Sequence, residues 1–214
     1  MPPRQCCTNC LNPDNELPDY MKEVYDWAYV DPRKVRWLDR NIVVKTLLFL
    51  NDRRLMRAYL ARVRPGMRVW QVAHVYGDLV RQVAAKVGPQ GAFHLTDITP
   101  VQIEHGLAKI GHLPWVRVIR NDAANFSGEG EAYDLICSFF LLHEVPEAWK
   151  EAIVNNMLDR LPAGGEAVFV DYHKPAWWQP IGYILRLVNH FLEPFAKAMW
   201  DREIRDYAQA PERF

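Results

Sequence analysis

The stretch that decides the fold is residues 69–78, VWQVAHVYGD. Its first half is apolar, and a helical pattern over 78–87 begins directly after the turn at Gly77. A strand that passes through a glycine turn into a helix is typical of folds whose turn N–H groups meet a nucleotide-type ligand. We therefore expect this turn to lie at one end of a sheet of similar units.

Short apolar segments and helical patterns alternate on the C-terminal side of Pro65-Gly66, which ends a preceding helical pattern. The predicted strands are 68–75, 92–97, 115–120, 133–139 and 166–172, and the predicted helices between them are 78–87, 100–110 and 148–161. This alternation predicts an α/β, Rossmann-like fold with a mainly parallel, doubly wound sheet. Ligands of such sheets bind at the carboxyl ends of the strands.

The pattern divides the chain into four segments: a flexible tail (1–16), a helical N-terminal cap (17–64), the α/β core (65–173) and a helical C-terminal extension (174–214). Helices are predicted over 18–30, 33–64 and 181–207, the last either continuous or broken near Pro194. The last of these is amphipathic, with basic residues and tryptophans at its edges. Such a helix either lies in a membrane interface or packs on the sheet or on a second subunit, as in a homodimer.

The composition excludes several classes of protein. Lys plus Arg number 26 and Asp plus Glu number 26, so the balanced charge argues against a nucleic-acid binder. No apolar run reaches the ~18 residues of a membrane span, and residues 1–16 lack a signal-peptide pattern. We therefore expect a cytoplasmic protein. The one Cys-x-x-Cys pair, Cys7 and Cys10, offers too few ligands for a zinc site.

Two acidic residues follow predicted strands at the edge where a ligand is expected. Asp97 ends the second strand, where a carboxylate accepts hydrogen bonds from ribose hydroxyls; alternatively it caps the next helix. Asp122 follows the third strand and either accepts from an adenine amino group, beside the small Ala123, or is a turn residue. The candidate cofactor-binding residues are Gln71, Ala73, Val75, Tyr76, Gly77, Asp97, Ile98, Asp122, Ala123 and Phe139.

Imidazole and carboxylate groups follow the fourth and fifth predicted strands. His143 and His173 are candidate proton-transfer groups because imidazole titrates near neutral pH. Tyr172 either orients a substrate oxygen or packs. Mixed carboxylate and imidazole ligands suit Mn²⁺, so the tentative metal ligands are His143, Glu144, Asp171 and His173. Each of these residues also has an ordinary role open to it, as pocket lining, helix cap or loop residue.

Several of these motifs together resemble the class I S-adenosylmethionine-dependent methyltransferases. The turn PAGG at 162–165 is similar to their Pro-Gly-Gly turn, and YDLI at 133–136, the first loop and the acidic end of the second strand also match. The resemblance covers about residues 65–172. It implies that S-adenosylmethionine is the cofactor and that the protein is a transferase.

A narrower resemblance is to the RquA-type rhodoquinone-biosynthesis proteins. It is carried by the blocks YDWAYV (25–30), QVAHVYGD (71–78), FFLLHE (139–144), VDYHKP (170–175) and LEPFA (192–196). That family resemblance implies conversion of ubiquinone to rhodoquinone, with S-adenosylmethionine as amino donor and Mn²⁺ as metal. It also implies a quinone substrate and, because such a lipid is drawn from the bilayer, peripheral contact with the inner face of the membrane.

The first loop departs from the ordinary methyltransferase pattern of an acidic residue followed by three alternating glycines. Gln71 stands in the acidic place, and Ala73 and Val75 stand in two glycine places. A neutral amide loses the charge-assisted hydrogen bond to the cofactor's ammonium, which favours chemistry at the amino group. Two alternatives remain: ordinary methyl transfer to a small aromatic or lipid acceptor, and cofactor binding without turnover.

Overall fold

The computed structural model describes residues 17–18, 52–130, 132–175, 177–178 and 195–213. The predicted tail (1–16), the helix over 18–30 beyond its first residue, the first part of the helix over 33–64 and the segment 181–194 lie outside the described residues. The described end of the N-terminal cap is helical, as predicted.

A five-stranded parallel sheet forms the centre of the described core, in the order β3-β2-β1-β4-β5. The strands are β1 (Arg68–Val72), β2 (Ala92–Asp97), β3 (Val116–Arg120), β4 (Leu135–Phe139) and β5 (Glu166–Val170). The helices are α1 (Asp52–Arg62), α2 (Leu79–Val87), α3 (Pro100–Ile110) and α4 (Glu147–Asp159). The predicted Rossmann-like α/β class is confirmed.

Two hydrophobic clusters cover the two faces of the sheet, because successive side chains of a strand point to opposite faces. Val69 of β1 packs with α1, α2 and α3, whereas Trp70 and Val72 pack with α4. Every residue of β4 is buried, as expected for a central strand covered on both faces. The helices therefore lie on both sides of the sheet.

The predicted bounds of β2 and α3 are confirmed, but the other four strands are shorter than predicted. β3 begins at residue 116 instead of 115, and β4 begins at residue 135 instead of 133. The strand predicted over 68–75 ends at Val72, because Ala73 adopts a left-handed conformation with φ of 67°. The strand predicted over 166–172 ends at Val170. The residues after each of these ends are therefore loop residues, free to contribute side chains and backbone groups to a site.

The helix predicted to continue to residue 207 is wrong over the described part of that segment. Two short 3₁₀ helices, Ala196–Trp200 and Ile204–Tyr207, take its place. A capping box between Glu203 and Asp206 starts the second turn anew, which interrupts a continuous helix. Met199 and Tyr207 are buried in the hydrophobic cluster that joins Trp70 and Val72 to α4, so this part of the extension packs on the core.

No described helix combines the length and the apolar character that crossing a membrane requires.

Candidate functional site

The carboxyl ends of all five strands meet at one edge of the sheet. The strand order reverses between β1 and β4, since β2 and β3 extend to one side of β1 and β4 and β5 to the other. Such a reversal leaves a crevice outside the strand ends, which is where open α/β sheets bind ligands. The loops after β1, β2, β4 and β5 carry most of the residues singled out from the sequence.

The loop after β1 begins with a strained residue. Ala73 has φ of 67° and Gly77 has φ of 85°, a region that favours glycine. Gln71, just before this loop, is fully buried, and its Nε2 donates to the Ala73 carbonyl at 3.4 Å. Its Oε1 is buried and makes no hydrogen bond within the described part of the chain. An orphaned acceptor at this strand end leaves a place for a donor from a bound molecule.

Asp97, at the end of β2, accepts hydrogen bonds both from the loop after β1 and from the start of α3. Its Oδ2 accepts from the His74 amide at 2.9 Å, and its Oδ1 accepts from the Thr99 amide and hydroxyl at 2.9 and 2.8 Å. Burial raises the pKa of the Asp97 carboxyl, and these hydrogen bonds offset part of the effect. The carboxylate therefore fixes the start of α3 against the β1 loop, and Oδ2 keeps acceptor capacity for a ligand hydroxyl.

Asp122 is held in a turn. Its Oδ1 accepts from the Ala124 amide at 2.9 Å and its Oδ2 from Trp149 Nε1 at 3.3 Å. The alternative of a turn residue thus matches the contacts it makes, and an adenine contact must use the remaining acceptor capacity of these oxygens.

Four of the five remaining candidate cofactor residues differ in accessibility, and the fifth, Tyr76, is described with α3 below. Phe139 is buried in the core, with its ring centroid 6.3 Å from that of Tyr59. Val75 and Ala123 are half-buried and pack against the two hydrophobic clusters. Ile98 is half-buried, and its carbonyl accepts from Arg120 Nε at 3.1 Å. Of these four residues, only Val75, Ala123 and Ile98 present part of their surface at the edge.

A histidine–aspartate pair joins the ends of β4 and β5. His143 Nδ1 lies 2.7 Å from Asp171 Oδ1, and the side chains of both residues are almost fully buried. Asp171 also accepts from the Leu142 amide at 2.7 Å and from the Tyr172 amide at 2.8 Å. Since a carboxylate only accepts, it fixes Nδ1 of His143 as the donor.

Aromatic rings enclose the imidazole of His143. The ring centroid of Tyr172 lies 4.4 Å away and that of Phe140 lies 5.9 Å away, both edge-on. Phe140 has φ of 54°, and its amide donates to the Val170 carbonyl at 2.7 Å. A non-glycine residue in this region stores strain and is often found at functional sites. The Nε2 of His143 lies 3.8 Å from Glu144 Oε1.

The expected manganese ligands do not assemble into a site, so this expectation is not supported. Within the described residues, no three or more His, Cys, Asp or Glu side chains come together as metal ligands. Both oxygens of Asp171 are occupied by three N–H donors. His173 is exposed, with Nδ1 at 3.0 Å from the Lys174 carbonyl, and does not join His143 and Glu144.

Two functional candidates on α3 are missed by the sequence reading. Gln102 Nε2 donates to the Tyr76 hydroxyl at 2.8 Å, and Lys109 Nζ donates to the Gly77 carbonyl at 2.9 Å. Both residues are buried, on the same helix face as Ile103 and Ile110. The sequence does contain a signal for Gln102 and Lys109: each is a long polar side chain on the helix face that is otherwise apolar.

Lys150 is a third residue that the sequence reading misses. Its side chain is fully buried, and Nζ donates to the carbonyls of Val145 and Phe195 at 2.8 and 3.1 Å. Glu147 Oε1 lies 2.9 Å from the same Nζ. Burial lowers the pKa of Lys150, and Glu147 offsets part of this shift. Lys150 thus ties the C-terminal segment to the loop that carries His143.

Stability should depend on pH through His74. Burial, followed by the nearby Lys109 and His105, lowers the pKa of His74 well below its usual value. The folded state therefore favours neutral His74, and unfolding takes up a proton below pH ~6.5. The free energy of unfolding should fall as the pH drops from 7.5 to 5.5, by up to about 1.4 kcal/mol per pH unit from this group. Urea denaturation at several pH values measures this slope.

The His74→Gln variant should show a flatter pH dependence over the same interval, because the group that takes up the proton is gone. His112, which is exposed, provides the control: His112→Gln should keep the wild-type slope. An unchanged slope in His74→Gln would contradict the assignment.

Comparisons with known proteins agree with the described fold. Residues 69–165 match a family profile described as "Methyltransferase domain". Two solved structures share the fold: the N-methyltransferase NodS from Bradyrhizobium japonicum WM9 (17% identity, 68% of this chain and 76% of that chain, TM-score 0.50) and the mitomycin 7-O-methyltransferase MmcR (14%, 76% and 47%, TM-score 0.54). At these identities they support the fold alone.

Curated relatives include proteins named ubiquinone/menaquinone biosynthesis C-methyltransferase UbiE. The one from Idiomarina loihiensis is 30% identical over 139 residues, 62% of this chain and 55% of the relative, and the one from Ectopseudomonas mendocina is 32% identical over 119 residues, 54% and 46%. The chain thus spans about half the length of these relatives. The family match therefore lies in residues 69–165, where the chain is similar to a methyltransferase domain.

Proposed function

We propose that the protein is an S-adenosylmethionine-dependent transferase that acts on a quinone-like aromatic lipid. The observation that carries the proposal is the buried His143–Asp171 pair, at the same sheet edge as the β1 loop and Asp97. A proton-transfer group next to a cofactor loop is the arrangement that group transfer to an aromatic acceptor needs. The names of the quinone C-methyltransferase relatives support the class of acceptor.

The residues at the edge fit S-adenosylmethionine. The orphaned Gln71 Oε1 suits the cofactor's ammonium, and the remaining acceptor capacity of Asp97 suits its ribose hydroxyls. When bound, the cofactor supplies an activated methyl group or, in an RquA-type reaction, an amino group. We propose that the residues that would hold it are Gln71, Ala73, Val75, Tyr76, Gly77, Asp97, Ile98, Asp122 and Ala123, with the buried Phe139 packed behind them.

His143 would move a proton of the acceptor. Because Asp171 accepts from Nδ1, the lone pair of neutral His143 lies on Nε2. The Glu144 carboxylate, 3.8 Å from Nε2, favours the positive charge that develops when the imidazole takes a proton. The edge-on ring of Tyr172 limits water around the imidazole. Tyr172 and the exposed His173 are proposed to meet the acceptor.

The segments 17–64 and 174–214 are proposed to cap the crevice around the core, 65–173. Trp177 and Trp178, which follow β5, are 92% and 66% exposed. Exposed indoles favour the interface between water and lipid, so we propose peripheral contact with the inner face of the membrane. As a second role of the C-terminal segment, we propose that it forms the contact between the two subunits of a homodimer.

Two reactions are candidates for this site. The neutral Gln71 in place of an acid favours RquA-type amination of ubiquinone to rhodoquinone, because the cofactor's amino end loses its usual carboxylate partner. The relatives named as quinone C-methyltransferases favour methyl transfer to a ring carbon instead. Both reactions use the same cofactor and a similar acceptor, and they differ in product.

Mass spectrometry of the products tests the proposal. The full chain is incubated with S-adenosylmethionine and either short-chain ubiquinone or a demethylated quinol, with and without Mn²⁺. An aminoquinone supports amination, and a methylated ring with S-adenosylhomocysteine supports C-methylation. Cofactor binding without either product would instead indicate a protein that binds the cofactor without turnover, and would overturn the proposed activity.

The product should depend on residue 71 if amination is the reaction. Gln71→Glu restores a carboxylate, which holds the cofactor's ammonium by a charge-assisted hydrogen bond and should lower aminoquinone formation by about tenfold. Product formation is measured alongside S-adenosylmethionine affinity. Gln71→Met adds no charge and serves as control: it loses the Oε1 acceptor and should bind the cofactor more weakly, but its product should remain the aminoquinone. Tighter cofactor binding by Gln71→Glu with an unchanged amount of aminoquinone would contradict the role of Gln71.

A further inference from the structure

The loop over residues 73–77 needs support that ordinary methyltransferase loops obtain from glycine. Ala73 and Val75 occupy two of the glycine places, and Ala73 nevertheless has φ of 67°. A left-handed conformation costs a non-glycine residue free energy, and it persists only where the surroundings hold it. Contacts from outside the loop must therefore fix its shape.

Two side chains of α3 make such contacts. Gln102 Nε2 donates to the Tyr76 hydroxyl at 2.8 Å, and Lys109 Nζ donates to the Gly77 carbonyl at 2.9 Å. The exposed fractions of Gln102 and Lys109 are 2% and 7%. In such a buried place a hydrogen bond is poorly screened by water, and one from an ammonium is stronger than one between neutral groups. The two donors hold consecutive residues of the loop.

The Tyr76 ring is directed by the same helix. Its centroid lies 6.2 Å from that of His74, edge-on, and His74 lies 5.9 Å from His105 of α3 in the same manner. The His74 amide donates to Asp97, so backbone and side chain of this residue are fixed from different sides. The bulk that Tyr76 brings to the loop is thus turned towards α3.

We propose that Gln102 and Lys109 are positioning residues that hold the β1 loop in the shape that binds the cofactor. The inference rests on the proposed use of S-adenosylmethionine. In this chain the hydrogen bonds from α3 keep the loop backbone at the strand end, where its N–H groups can meet a ligand. They thus take the place of the glycines that shape this loop in ordinary methyltransferases. Neither residue is a catalytic residue, since each acts through the loop.

Titration calorimetry with S-adenosylhomocysteine tests the inference on the full chain. Lys109→Met removes a buried, charged hydrogen bond, so we expect Kd to rise about tenfold or more. Lys109→Arg keeps a donor and should bring Kd back to within about threefold of the wild type. Gln102→Met and Tyr76→Phe remove the same neutral bond from its two sides, so each should raise Kd by about threefold.

Lys86 provides a matched control. Its Nζ also donates to a backbone carbonyl, that of Leu60, at 2.6 Å, but between α2 and the end of α1. Lys86→Met should leave Kd unchanged, even where it lowers the melting temperature. Hydrogen exchange of the amides at 74–77 in the ligand-free protein adds a readout of loop shape: exchange should be faster in Lys109→Met and unchanged in Lys86→Met.

The outcomes separate the two proposals. Absence of S-adenosylhomocysteine binding by the wild type overturns the proposed function and this inference with it. Binding by the wild type with an equal Kd in Lys109→Met overturns the inference alone. Should Lys109→Met fail to fold, Tyr76→Phe decides: it removes a single oxygen, and an unchanged Kd together with unchanged exchange at 74–77 overturns the inference.

Discussion

Replacing Asp171 with Asn is expected to lower kcat about 100-fold or more, since an unoriented general base loses most of its effect. Asp171 accepts from three N–H groups, those of Leu142, His143 and Tyr172. The amide of Asn must turn its NH₂ towards at least one of these donors. When it faces His143, Nδ1 becomes an acceptor, the proton moves to Nε2, and the imidazole can no longer accept a proton there.

The measurement is product formation at saturating S-adenosylmethionine and short-chain acceptor, with Kd for S-adenosylhomocysteine determined in parallel. Asp134→Asn is the matched control, because Asp134 also accepts from a backbone amide, that of Arg68 at 2.8 Å, but at the amino ends of the strands. It should keep the wild-type kcat. A kcat within about threefold of wild type for Asp171→Asn would exclude the pair from general acid–base catalysis.

Replacing Lys150 with Met is expected to lower the free energy of unfolding by about 3 kcal/mol, because two carbonyls in the interior would lose their charged donor. Methionine fills a similar volume, so the loss comes from polar groups. The carbonyls of Val145 and Phe195 lose a donor, and Glu147 loses its buried cation. Buried acceptors without partners cost more than the hydrogen bonds gave. Urea denaturation measures the change.

Arg202 offers the control for Lys150, since its guanidinium also contacts Glu147, at 3.1 Å, but on the surface. Arg202→Met should therefore have a much smaller effect, because exposed ion pairs contribute little. Equal losses in the two variants would mean that the contact with Glu147, rather than the buried carbonyls, accounts for the stability.

The sequence predicted the alternation of strands and helices along the chain well because their signals are local. The residues at the bounds of β2 and α3 change pattern sharply, with Pro100 at the first helical position. The excess length predicted for the first strand has a non-local cause: the conformation of Ala73, which ends the strand, depends on contacts with the rest of the fold. The predicted helix through residue 207 fails because Glu203 and Asp206 cap a new turn.

The candidate site could be predicted in part, by the rule that loops at the strand ends carry function. His143 and Asp171 were predicted to meet as ligands of one metal ion, and in the structure they meet across two strands as a hydrogen-bonded pair. The hydrogen bond between His143 and Asp171 is also the reason why the predicted metal site does not form. Lys109 was missed because its partner is a backbone carbonyl, that of Gly77, in a distant part of the chain. A backbone partner leaves no residue type in the sequence that would point to the contact.

The pairing of β1 with β4 sets the order in which the sheet can be completed. Each of the pairs β1–β2 and β2–β3 is bridged by a single helix, whereas Val69 meets Leu135 only after two further strands and two helices have intervened. Contacts between distant parts of a chain form slowly, because a long loop must close first. We expect the crevice between these strands to form late in folding, so that a ligand bound there stabilises the contact most costly to make.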